Sequence, residues 1–84
     1  MKLYEYKAKA MTLLLNYTPK SPREKELIDR LMVKLSELRA MTLPRLLHDI
    51  YLIITHESVS DEFKGLLKQL VPKEQDIEEM VRET

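Results

Sequence analysis

The chain reads as an all-α protein, a compact four- to five-helix bundle forming a single small domain over residues 1–84. Three observations lead there. Prolines at Ser21-Pro22, Leu43-Pro44 and Val71-Pro72 punctuate the chain, because proline pushes the residue before it out of the α region and ends or turns a helix. Between these breaks apolar residues recur every three or four positions, the period of an amphipathic helix, and not every second position as in a half-buried strand. Only one glycine occurs in the 84 residues, so little interrupts the helices from within. The pattern predicts helices over 2–17, 22–41, 43–55, 59–71 and 73–82.

Size and composition bound the rest. A chain this short buries only about 60% of the surface its unfolded form exposes, so several helices must share one core. With 44% hydrophobic and 33% charged residues, it belongs with soluble globular folds and not with disordered tails. No cysteine is present, which removes disulfide scaffolds and thiolate zinc sites and fits a reducing compartment. No apolar run reaches the roughly 18 residues of a membrane span, and Met1-Lys2-Leu3-Tyr4-Glu5-Tyr6-Lys7 lacks the apolar core of a signal peptide. A cytoplasmic protein without membrane contact is expected.

The first helix is apolar on two sides. At about 100° per residue, Leu3, Tyr6, Ala10, Leu13, Leu14 and Tyr17 share one side, and Tyr4, Ala8, Met11 and Leu15 widen it past half the circumference. The polar strip is left to Lys2, Glu5, Lys9, Thr12 and Asn16. Such a helix is expected at the centre of the bundle; the alternative is a face buried against a partner or a second copy. Lys7 falls within the apolar arc, where a lysine lays its stem over apolar neighbours and delivers its ammonium to water.

The second helix has the clearest start, with Ser21 as N-cap, Pro22 at the first helical position and Glu24 at the third, a capping box. Leu27, Ile28, Leu31, Met32, Leu35 and Leu38 form its core stripe, leaving Val33 exposed beside Glu26, Arg30 and Lys34. It should end near Met41 or Thr42, with Thr42 capping the third helix and no residues to spare, so that the two meet at a sharp angle. In the third helix Leu43, Leu46, Leu47, Ile50, Ile53 and Ile54 face the core, a helical pattern despite β-favouring isoleucines at 50–55. Arg45, Asp49, Leu52 and His56 run as a continuous stripe away from it.

Ser58 or Ser60 caps the fourth helix, whose stripe is Val59, Phe63, Leu66, Leu67 and Leu70, with Gly65 on the polar side. The last helix offers only Ile77, Met80 and Val81 and should be weakly anchored and frayed at its end.

Charge is balanced overall but polarised. Residues 1–20 carry Lys2, Lys7, Lys9 and Lys20 against Glu5, whereas residues 73–84 carry Lys73 and Arg82 against Glu74, Asp76, Glu78, Glu79 and Glu83. Two ends that attract each other, or two solvated faces, are the simplest outcomes. Lys2, Lys9, Lys20, Arg23 and Lys25, with Tyr4 or Tyr17 as stacking groups, are the residues from which a nucleic-acid surface would be built. A helix-turn-helix reading of the third and fourth helices founders on Asp61-Glu62 at the start of the would-be recognition helix.

Motifs for chemistry are missing from the sequence. His48 and His56 are eight residues apart, about 12 Å along a helix, too far to grip one ion, so no metal is expected. Asp49 and His56 are two turns apart, beyond reach as a catalytic pair. Ser58 and Ser60 read as caps, and no glycine-rich turn is present to cradle a phosphate or cofactor. The expectation is therefore a non-enzymatic module, without cofactor, that acts as adaptor, regulator or inhibitor by binding another protein. A nucleic-acid-associated regulator and a structural homodimer are the alternatives. The candidate contact residues are Tyr4, Lys7, Met11 and Leu15 on the first helix and Arg45, Asp49, Leu52 and His56 on the third. In a two-fold dimer, Ala8 or Ala10 would allow close approach.

Overall fold

The computed structural model describes residues 1–82, among which five α-helices and one 3-10 turn follow in order: α1 (Leu3–Leu15), α2 (Pro22–Ser36), the turn Ala40–Thr42, α3 (Leu43–His56), α4 (Asp61–Gln69) and α5 (Glu74–Val81). There is no strand among these residues. All five helices feed one core: Tyr6, Ala10 and Leu14 from α1, Leu27, Ile28, Leu31 and Leu35 from α2, Leu43, Leu46, Ile50 and Ile53 from α3, Phe63, Leu66 and Leu67 from α4, and Met80 from α5.

Local chemistry sets most boundaries. Ser21 is extended (φ −154°, ψ 161°) and its Oγ accepts from the Glu24 amide at 3.2 Å, capping α2 with Pro22 at the first helical position. Ser60, and not Ser58, caps α4 by accepting from the Phe63 amide at 3.2 Å. Leu43 departs from the proline rule: it precedes Pro44 yet is helical (φ −57°, ψ −46°). The clash before proline disfavours that region without forbidding it, and here it places Leu43 wholly in the core.

The end of α2 differs from the expected Met41. The helix stops at Ser36, whose Oγ turns back onto the Val33 carbonyl at 2.7 Å. Arg39 is extended, and Thr42 Oγ1 accepts from its amide and donates to its carbonyl. Continuing the helix would have pointed Ala40 outward, whereas the 3-10 turn buries it with Leu38. Thr42 thus holds the corner and gives α3 no side-chain cap. Residues 37–42 also supply the slack between α2 and α3 that the sequence pattern denied.

The last helix is better anchored than expected. Met80 is completely buried, and α5 rests against the 3-10 turn. The Met1 amino group reaches α5, donating to Glu79 at 2.9 Å and Asp76 at 3.4 Å, whereas Lys7 and Lys20 turn to Ser36 and Glu62. Residues 83 and 84, on which part of the expected fraying falls, lie outside the described residues.

Candidate functional site

Two side chains show how α1 and α2 sit against α4. Buried Tyr6 of α1 donates its hydroxyl to the Leu70 carbonyl at the end of α4, 2.7 Å away, and burial pushes its pKa up to about 12. Glu24 of α2 accepts from the Ser60 amide at the start of α4, at 2.9 Å. The two helices are therefore tied to opposite ends of α4, which lies behind both.

Glu24 is the densest polar junction in the structure. Only 1% exposed, its carboxylate also takes bonds from the Tyr17 hydroxyl at 2.6 Å and the Lys20 amide at 2.9 Å. Burial by itself would raise its pKa, but these donors favour the charged form and together hold it at about 2. The Tyr17 ring packs 5.4 Å from Phe63, and its hydroxyl pKa is raised by burial and by donation to Glu24. Only the Ser21 half of the expected capping box forms, because the Glu24 acid does not return to Ser21. No local pattern marks Ser60, 36 residues away, as its partner.

Opposite this junction lies an apolar strip. Nine residues are about two and a half helical turns, so Leu15 points away from α4 as Tyr6 points toward it, and Val33 as Glu24 does. Leu15 and Val33 are 71% and 57% exposed, and Tyr4 is 73% exposed. Tyr4, Ala8, Met11 and Leu15 lie at i, i+4, i+7 and i+11, a straight seam along α1 in which Ala8 is open and Met11 rests partly on the core. This corrects the expectation of a central first helix: α1 buries one flank and leaves the other in solvent. Ala10 belongs to the buried flank, so of the two alanines only Ala8 is open to a partner.

Lys7 has a structural task. Its Nζ donates to the Ser36 carbonyl at 2.9 Å, satisfying a carbonyl at the C-terminal end of α2, where a cation also suits the helix dipole. The third-helix stripe divides as well. Asp49 forms an ion pair with Lys34 of α2, and this pair separates two hollows in the α2–α3 groove, of about 250 Å³ beside Arg45 and 210 Å³ beside Leu52. His56 is exposed and lines neither. Lys34 and Ser36 point to different sides of α2, so the α1 seam and the α3 stripe lie on either flank of that helix and do not form one surface.

The basic surface around the α1–α2 connection is largely neutralised. Arg23 holds Glu57 through two bonds of 3.0 and 2.7 Å and also pairs with Glu26, and the guanidinium holds the Glu57 carboxyl below the usual range. Lys20 pairs with Glu62, and Lys25 with Asp29. Tyr17 is committed to Glu24 and Phe63 and cannot serve as a stacking platform.

Among the described residues no group of three or more histidine, aspartate or glutamate side chains is placed to hold a metal ion. Nor, among them, is any helix long and apolar enough to cross a membrane. Comparison with protein-family models, with curated proteins and with solved structures finds no match.

Proposed function

We propose that this chain is a non-enzymatic interaction module, an adaptor, regulator or inhibitor, that binds another protein along the outer seam of α1. The observation that carries this reading is the exposure of Tyr4 and Leu15, 73% and 71%, on one line with Ala8 and Met11. Four side chains at coiled-coil spacing suit the apolar face of one amphipathic helix, read by anchors at the same intervals. A large tyrosine and a leucine flanking a small alanine give that seam relief as well as area. Several polar groups that could serve chemistry are in structural use: Ser21 and Ser60 as caps, Tyr17 and Glu24 in the junction behind α4. A cytoplasmic location agrees with a sequence free of cysteine.

The test is affinity capture from an extract of the source cells with the native chain, Leu15→Lys and Leu52→Lys. The reading expects a protein retained by the native chain and by Leu52→Lys but lost from Leu15→Lys. Equal retention by all three would sink the α1 surface. Retention of nucleic acid that weakens steeply with salt, and further when Lys2, Lys9, Lys20 and Arg23 are neutralised together, would replace protein with nucleic acid as the partner.

A further inference from the structure

We draw no further inference here: the strongest candidate, the apolar outer seam of α1 formed by Tyr4, Ala8, Met11 and Leu15, carries nothing beyond the interaction surface already proposed, because nothing in the structure shows what covers it.

Discussion

Glu24 and Leu15 occupy each other's expected places: the carboxylate is 1% exposed and the leucine 71%. The comparison separates two reasons for a side chain's position. Glu24 is buried because three fixed donors from residues 17, 20 and 60 converge on it, and such a site favours the charged form over water. Leu15 is exposed because the flank of α1 that meets the core is the one bearing Tyr6, Ala10 and Leu14, and Leu15 lies on the other. Burial follows available partners, and hydropathy only proposes them. The inner face is closed with its polar groups paired, and the outer face is open.

The strongest way to break this contrast is Glu24→Ala. It strands the Lys20 and Ser60 amides and the Tyr17 hydroxyl, and a buried donor without an acceptor costs about 1–3 kcal/mol, so a loss of roughly 3 kcal/mol or more is expected in urea unfolding. A loss below about 1 kcal/mol would show that water replaces the carboxylate freely. The same site governs acid stability. With the folded pKa near 2, against an ordinary value of about 4.3, the carboxylate contributes in full above the unfolded value. Its contribution is lost as pH falls from about 4.3 toward 2. Stability of Glu24→Gln should consequently fall less over that interval than that of the native chain.

Tyr6→Phe probes the other tie to α4 more gently. It keeps the ring but leaves the Leu70 carbonyl unpaired, with an expected loss of about 1–2 kcal/mol. Because the folded pKa is raised to about 12, the Tyr6 contribution is complete below pH 10 and lost as pH rises from 10 to 12. The variant should lack that component of alkaline destabilisation, which a thermal-melt series measures.

Leu15→Lys should change least in the monomer, within about 0.5 kcal/mol, as for surface positions generally. A loss of 2 kcal/mol would mean that the outer face supports the fold and that the contrast with Glu24 is false.

Much of the fold was legible because it depends on near neighbours. The 3.6-residue period located all five helices, and Ser21-Pro22 fixed the start of α2 because a cap acts within three residues. It also set Val33 and Leu52 outside the core. The end of α2 escaped because the helical period runs on through Leu38, while the burial of Ala40 and the bonds between Thr42 and Arg39 favour the turn. The candidate site was half legible: Tyr4, Met11 and Leu15 stood out as surplus apolar surface, while Lys7 and Asp49 looked available until Ser36 and Lys34 were brought beside them.

The sequence by itself determined that there are five helices, the Ser21 cap of α2 and the over-wide apolar arc of α1, since each follows from residues within a turn or two of one another. The tertiary structure alone decided which half of that arc is buried and that Glu24 lies inside. Both depend on where α4 packs, and chain segments dozens of residues apart in sequence become neighbours only when the core closes.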